Sequence, residues 1–138
     1  MILDANVIVK LVIYEPGSDR AHDIVVGAVE RGDELSVPDI ALAETLNALW
    51  KHHKLLGDLD EDAYYGAVKD ALRLWEVLDV HESGELAPRA CRIASTAGIT
   101  VYDSLYLALA ERLGSELFSF DKEMIRAARE LGIRVIVG

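Results

Sequence analysis

The stretch Leu117–Val137, LFSFDKEMIRAARELGIRVIV, contains a complete strand–helix–strand unit. Its first four residues form a mostly apolar run of strand length, Asp121 favours the start of a helix, and Gly132 favours its end. Residues 133–137 then predict a second apolar strand. Apolar strands joined through a helix are typical of a parallel sheet that is covered on both faces, with right-handed crossovers.

The rest of the chain repeats this alternation. Further strands are predicted at residues 2–3, 35–37 and 77–80, and further helices at 4–13, 19–31, 39–55, 60–75, 85–97 and 102–113. The short link at residues 57–60 predicts an antiparallel helical hairpin. The sequence therefore predicts an α/β fold over residues 1–138: a single domain with a parallel sheet of about five strands, covered by helices on both faces.

Length and composition restrict the class of protein further. The chain has 138 residues, of which 51% are hydrophobic and 28% charged, as expected for one compact domain. No uninterrupted apolar run approaches the ~20 residues that cross a bilayer, so no membrane span is predicted. The start of the chain lacks the basic leader of a signal peptide, and the single cysteine, Cys91, agrees with a reducing compartment. A cytoplasmic location is expected, but the net charge of −10 argues against a nucleic-acid binder.

Four acids are predicted to meet at one edge of the sheet. Asp4 and Asp121 follow strands directly, and Asp103 lies in the first turn of a helix. Ligand sites in open α/β sheets lie outside the carboxyl ends of the strands, where these residues fall. Glu44 lies more than one turn into its helix, among small and apolar neighbours, where a carboxylate needs a polar partner.

Each acid also has a purely structural interpretation. Asp4 and Asp121 could be helix caps worth ~1 kcal/mol apiece. Asp103 could interact with the helix dipole, and Glu44 could be an ordinary surface residue. Four separate structural roles would not explain why acids from distant parts of the chain are all predicted at one sheet edge. A shared site is therefore the better explanation.

A cluster of four carboxylates requires compensating positive charge. Two such charges 4 Å apart repel each other by about 4 kcal/mol at an effective dielectric constant of 20. The only neighbouring Lys or Arg in sequence is Lys122, whose side chain is predicted to point away. Mg²⁺ or Mn²⁺ is the natural partner because both prefer oxygen ligands. Zinc is disfavoured, since the histidines look isolated or fall on different helix faces and Cys91 has no partner.

Four segments of the chain resemble the PIN-domain nucleases. They are ILDAN at residues 2–6, Pro-x5-Glu at 38–44, YDSLYLALA at 102–110, and FSFDK at 118–122 followed by AARELGI at 127–133. The length and layout are most similar to the VapC-like toxin ribonucleases of prokaryotic toxin–antitoxin pairs. The resemblance extends over essentially the whole chain.

The resemblance implies a metal-dependent endoribonuclease. An acidic pocket would hold Mg²⁺ or Mn²⁺ and hydrolyse RNA phosphodiester bonds, leaving 5′-phosphate and 3′-hydroxyl ends. Its metal-binding and catalytic acids would be Asp4, Glu44, Asp103 and Asp121. The small polar residues beside them would be Asn6, Ser104 and Ser119. The chain departs from the family pattern at Phe120, where a small residue is usual.

One helix face offers positive charge beside the predicted acids. Lys122, Arg126 and Arg129 are spaced so that they share a face, which an RNA backbone could follow. An ordinary solvated helix face is the alternative. Residues 88–138 hold six acids and seven bases, so the acidity that argues against RNA lies mostly in the first 87 residues.

The resemblance also implies partners, namely a homodimer and an antitoxin protein. The surfaces that contact these partners are expected on the helical hairpin, although the aromatic residues of the hairpin are predicted to lie mostly in the core. These residues are Trp50, His52, His53, Tyr64, Tyr65 and Trp75.

Other functions remain open. An RNA-processing nuclease outside a toxin–antitoxin pair and a catalytically silent binding module would share the same fold. A haloacid-dehalogenase-type phosphatase would need Asp-x-Asp after the first strand, where the second position is Asn6. A receiver domain would need an acidic pair there, a phosphorylatable Asp after the third strand and a Lys near the fifth, and these are missing.

Overall fold

The computed structural model describes all residues from Met1 to Gly138. Five strands alternate with seven α-helices, and a π-helical turn at His52–Leu56 extends the third helix. The strands are β1 (Ile2–Leu3), β2 (Ser36–Pro38), β3 (Asp79–His81), β4 (Leu117–Ser119) and β5 (Val135–Val137). The helices are α1 (Ala5–Val12), α2 (Ser18–Glu30), α3 (Ile40–Lys51), α4 (Glu61–Trp75), α5 (Ser83–Ala97), α6 (Val101–Leu113) and α7 (Lys122–Glu130).

The strands form one parallel sheet in the order β3-β2-β1-β4-β5, which confirms the predicted fold class. β1 is the central strand, with Ile2 opposite both Ser36 and Leu117. The chain extends the sheet to one side of β1 through β2 and β3, then returns to the other side for β4 and β5. This reversal opens a crevice at the carboxyl ends of the central strands, where ligands of such sheets bind.

Helix α6 is the most deeply buried helix. Residues 104–110 are all buried because the run SLYLALA is apolar around the whole helix. The helix packs against α5 and against the central strands β1 and β2. No single helix is long and apolar enough to cross a membrane; α5 and α6 pass on length and composition only as a pair, bent by 116°.

The predicted boundaries differ from the structure mainly at the two edge strands, because β3 and β5 each begin two residues later than predicted, at Asp79 and Val135. The N–H groups of Val77 and Leu78 donate to carbonyl groups of the last turn of α4, so this segment ends the helix. Asp79 is the first residue here whose N–H pairs with β2, through the carbonyl group of Leu35. The apolar character of Val77 and Leu78 therefore predicted a strand two residues too early.

The helical hairpin is also less buried than predicted. Trp50 and Tyr65 are 42% and 61% exposed, so the prediction that these aromatic side chains fill the core is wrong for both. Tyr64 is partly buried and stacks on His53, with ring centroids 4.8 Å apart.

Candidate active site

Asp4 follows β1 and occupies the N-cap position of α1 without accepting a capping hydrogen bond. Its carboxylate instead accepts hydrogen bonds from Asn6 Nδ2 at 2.6 Å and from Ser119 Oγ at 2.5 Å. The side chain is buried, with 5% of the residue exposed. The interpretation of Asp4 as a helix cap is therefore wrong, and its side chain belongs to a polar cluster between β1 and β4.

Burial raises the pKa of Asp4 from 3.8 to about 7. Hydrogen bonds from the Ser119 side chain and from the Asn6 backbone N–H lower the pKa, whereas the negative charges of Glu44 and Asp103 raise it further. Asp4, Glu44 and Asp103 therefore lie close enough to interact electrostatically, although they come from three different parts of the chain.

Glu44 is fixed by a tyrosine that the sequence did not single out. Tyr106 Oη donates a 2.5 Å hydrogen bond to Glu44 Oε2 from a position in α6 that is 0% exposed. Burial raises the pKa of Glu44, the Tyr106 hydrogen bond lowers it, and the charge of Asp103 raises it. The interpretation of Glu44 as an ordinary surface residue is therefore wrong.

A sequence signal for Tyr106 did exist. It lies three residues after Asp103, so both residues share a helix face. Its hydroxyl group is the one polar side chain in the buried run LYLALA, and a buried hydroxyl group requires a partner.

Asp103 is held at the start of α6 by Thr100. Thr100 Oγ1 accepts from the Asp103 N–H at 3.1 Å and donates to Asp103 Oδ2 at 2.8 Å. The expected helix-dipole position is correct, but the carboxylate also faces a cavity of about 300 Å³. Asp121 lines the same cavity from the start of α7.

Asp121 combines two arrangements. Its Oδ1 accepts the Met124 N–H at 2.8 Å, which confirms the predicted helix cap. Its own N–H donates to Ser119 Oγ at 2.9 Å, and the same hydroxyl group donates to Asp4. Ser119 therefore connects the first and the last of the four acids.

The three predicted polar neighbours separate into two groups. Asn6 and Ser119 contact Asp4 directly. Ser104 is fully buried, and its Oγ donates to the carbonyl oxygen of Thr100 within its own helix segment at 2.8 Å. Ser104 thus makes no hydrogen bond to any of the four acids.

Phe120 packs beside the cluster, against the turn between α1 and α2. A Cβ atom at Gly17 would lie 2.7 Å from the ring, and Gly17 has a φ of +94°. Both the close approach and the positive φ require glycine there. Lys10 Nζ lies over the Phe120 ring, 4.9 Å from its centroid. The departure from the family pattern thus changes packing next to Asp121 and removes no acid.

The donor chemistry of the cluster fits a divalent cation bound largely through water. In the present rotamers no group of three or more His, Cys, Asp or Glu side chains is arranged to hold an ion directly. The charges of Glu44 and Asp103 nevertheless raise the pKa of Asp4, the charge of Asp103 raises the pKa of Glu44, and no Lys or Arg forms an ion pair with any of the four acids. Mg²⁺ usually keeps several waters and needs only one or two protein carboxylates. His81 is less isolated than expected, with Nε2 2.6 Å from Asp79 Oδ2, but this pair lacks a third ligand.

The three basic residues of α7 line one groove of about 410 Å³. Arg126 pairs with Glu123 at 3.1 Å and with Glu130 at 2.8 Å, and it also donates to the carbonyl oxygen of Ala97. Lys122 and Arg129 are exposed and form no ion pair.

Comparisons with known proteins agree with this architecture. The PIN domain family matches residues 1–130, which include all four acids. Ribonuclease VapC3 of Pyrobaculum aerophilum is 34% identical over 124 residues, covering 90% of this chain and 91% of that protein. Exonuclease VapC9 of the same organism is 30% identical over 97 residues, covering 70% and 69%. A toxin–antitoxin complex from Klebsiella pneumoniae shares the fold, with a TM-score of 0.65 at 14% identity over 99% of this chain and 95% of that one. The chain belongs to the PIN-domain family.

Proposed function

We propose that this protein is a metal-dependent endoribonuclease that serves as the toxin of a toxin–antitoxin pair. The observation that carries the proposal is the Asp4 carboxyl group, whose pKa is raised to about 7 by burial first and, to a smaller extent, by the charges of Glu44 and Asp103. Such mutual repulsion at a sheet edge is costly unless a cation occupies the site. The 34% identical relative is named a ribonuclease, which supports RNA as the substrate.

Asp4, Glu44, Asp103 and Asp121 would hold Mg²⁺ or Mn²⁺. Divalent-metal dependence is general among the PIN-domain VapC nucleases. When bound, the metal would lower the pKa of a water nucleophile and neutralise the charge that develops on the phosphate and the leaving oxygen. Water adds to phosphorus, the bond to the 3′ oxygen breaks, and the products carry 5′-phosphate and 3′-hydroxyl ends.

The residues around the acids keep the four carboxylates in place. Ser119 and Asn6 orient Asp4, and Tyr106 orients Glu44. Thr100 binds Asp103, while the capping hydrogen bond fixes Asp121. Such fixed positions reduce the reorganisation that the site needs when phosphate arrives.

An antitoxin and a second copy of the chain complete the proposed assembly. The four acids have no cationic partner within the chain, so an antitoxin arginine that reaches them would neutralise the site and block metal binding. The fold shared with a toxin–antitoxin complex supports such a partner. The exposed aromatic residues Trp50 and Tyr65 on the hairpin offer apolar surface for a homodimer or for the antitoxin.

An exonuclease is the second candidate, because the 30% identical relative carries that name. Circular and linear RNAs of one sequence separate the two activities. Each is incubated with the protein in Mg²⁺ or Mn²⁺, with an EDTA control and an Asp103→Asn variant. We expect circular RNA to be opened only with metal, and Asp103→Asn to be slower by about 100-fold or more.

The other outcomes are equally informative. Metal-independent cleavage, or full activity of Asp103→Asn, would refute the proposed nuclease. Degradation of linear RNA alone would assign an exonuclease. Intact RNA under all conditions would leave a catalytically silent module, and cleavage without any antitoxin partner encoded beside it would favour an RNA-processing role.

A further inference from the structure

Two concave surfaces lie on either side of helix α7. The acidic cavity is lined by Asp103 and Asp121 at the start of the helix. The basic groove, lined by Lys122, Ile125, Arg126, Arg129, Glu130 and Val137, lies between α7 and the end of β5. Asp121 of the acidic cavity and Lys122 of the basic groove are consecutive residues, so the two surfaces are neighbours at the start of α7.

The cations of the basic groove are not equivalent. Arg126 is occupied by Glu123 and Glu130, and its contact with Ala97 ties α7 to the end of α5. Ala97 precedes Gly98, which lines the acidic cavity. Arg126 therefore acts as a brace between the two surfaces and has little positive charge to offer a ligand.

Lys122 and Arg129, in contrast, are free. The chain has 24 acidic residues against 14 Lys and Arg, yet neither of these two side chains forms an ion pair. They are separated by seven residues, which is two helical turns or about 10.5 Å along one helix face. Two separate anionic groups, spaced along one strand, would fit this arrangement better than a single small anion.

The floor of the groove between the two free cations is partly apolar. Ile125 is buried and Val137 is partly exposed at its edge. Positive charge along a groove with an apolar floor suits single-stranded nucleic acid, whose sugars and unstacked bases accompany the phosphates.

We propose that the basic groove binds the phosphate backbone of the single-stranded RNA that flanks the bond to be cleaved. Lys122 and Arg129 each contact a phosphate, Arg126 braces the helix, and the RNA crosses the start of α7 to reach the acids. This inference rests on the proposed ribonuclease function and specifies how the substrate enters.

The test compares two variants that lose the same charge. Lys122→Gln/Arg129→Gln removes both free cations of the groove, and Lys51→Gln/Lys54→Gln removes two exposed lysines of the helical hairpin that also lack ion pairs. Binding of a fluorescent single-stranded RNA is measured by anisotropy in EDTA at several salt concentrations, so no cleavage is required.

We expect the groove variant to lose about tenfold in affinity and the slope of log K against log salt to fall by about 1.4, the value for two phosphate contacts on a single strand. The hairpin variant should retain both values. Arg126→Gln should lower Tm without changing the salt slope.

Equal losses in the two double variants, or no loss in either, would overturn the inference. A polyglutamate peptide that binds the wild type but not the groove variant, with RNA affinity unchanged, would assign the groove to an acidic protein segment instead. Groove-dependent RNA binding without any cleavage would leave this inference standing while the proposed activity failed.

Discussion

Asp4 shows most clearly how a single side chain is held in an unfavourable state. Two hydrogen bonds hold its carboxylate, but burial and the charges of Glu44 and Asp103 raise its pKa to about 7. Between about pH 4 and pH 7 the native state therefore keeps a proton on Asp4, whereas the unfolded chain, with a pKa near 3.8, has already released it. Stability falls as the pH rises through this range, by roughly 4 kcal/mol at ~1.4 kcal/mol per pKa unit.

Asp4→Asn should remove this cost. In EDTA at pH 8 we expect its Tm to exceed that of the wild type by several degrees, because the asparagine side chain remains neutral and still accepts both hydrogen bonds. At pH 5 the difference should be small, since Asp4 is then mostly protonated. Asp23→Asn, an exposed substitution with the same change in net charge, is the control. A Tm at pH 8 no higher than the wild type would contradict the raised pKa.

Tyr106→Phe tests how far one hydroxyl group determines the geometry of the acids. It removes the hydrogen bond to Glu44 and leaves the ring, so we expect Mn²⁺ affinity to fall about tenfold or more in calorimetric titrations. Tyr102→Phe on the same helix is the control, because Tyr102 is 59% exposed. Unchanged affinity in Tyr106→Phe would mean that Glu44 needs no fixed orientation.

The positions of the acids were predictable, whereas their contacts were only partly so. Asp4 and Asp121 lie at strand-to-helix junctions that apolar patterning reveals. Which junction acid caps its helix depends on the neighbouring strand: Ser119 of β4 draws Asp4 away from the cap position, while Asp121 has no such competitor. The role of Tyr106 was not predicted because its aromatic ring fits the apolar pattern of α6.

Helix α7 depends on Asp121 for its start, so structure and chemistry overlap at this residue. Asp121→Asn keeps an oxygen acceptor for the Met124 N–H, and we expect it to unfold in urea within about 0.5 kcal/mol of the wild type. Asp121→Ala loses the cap and about 1 kcal/mol. Both should lose metal-dependent cleavage to a similar extent, because both lack the carboxylate. Wild-type cleavage by Asp121→Asn would reduce Asp121 to a helix cap.

Element boundaries show where sequence patterning reached its limit. Long helices such as α5 and α6 were predicted within two residues because their glycine caps are clear. Edge strand β3 was predicted two residues too early because Val77 and Leu78 are apolar, although their N–H groups bond to the carbonyl groups at the end of α4. The exposed aromatic residues of the hairpin could not be distinguished from core residues by their type alone.

The distribution of charge over the whole molecule explains how a protein with a negative net charge could bind RNA. The net charge of −10 describes the entire surface, whereas substrate would meet only the acid cluster, its bound cation and the basic groove. Asp4 follows β1 and Asp121 follows β4. These two strands are neighbours in the sheet, at the point where the strand order reverses. The local charge at the acid cluster and the basic groove, rather than the net charge of the chain, therefore determines the proposed activity.

Binding of Mn²⁺ to the metal-free protein tests this account most directly. Electron paramagnetic resonance of free Mn²⁺ is recorded during a titration at pH 7.5, with the wild type and the Asp103→Asn variant compared at equal concentration. We predict saturable binding of at least one Mn²⁺ to the wild type and a strong loss of that binding in the variant. No saturable binding to the wild type, or equal binding to both proteins, would contradict a metal centre built from these acids.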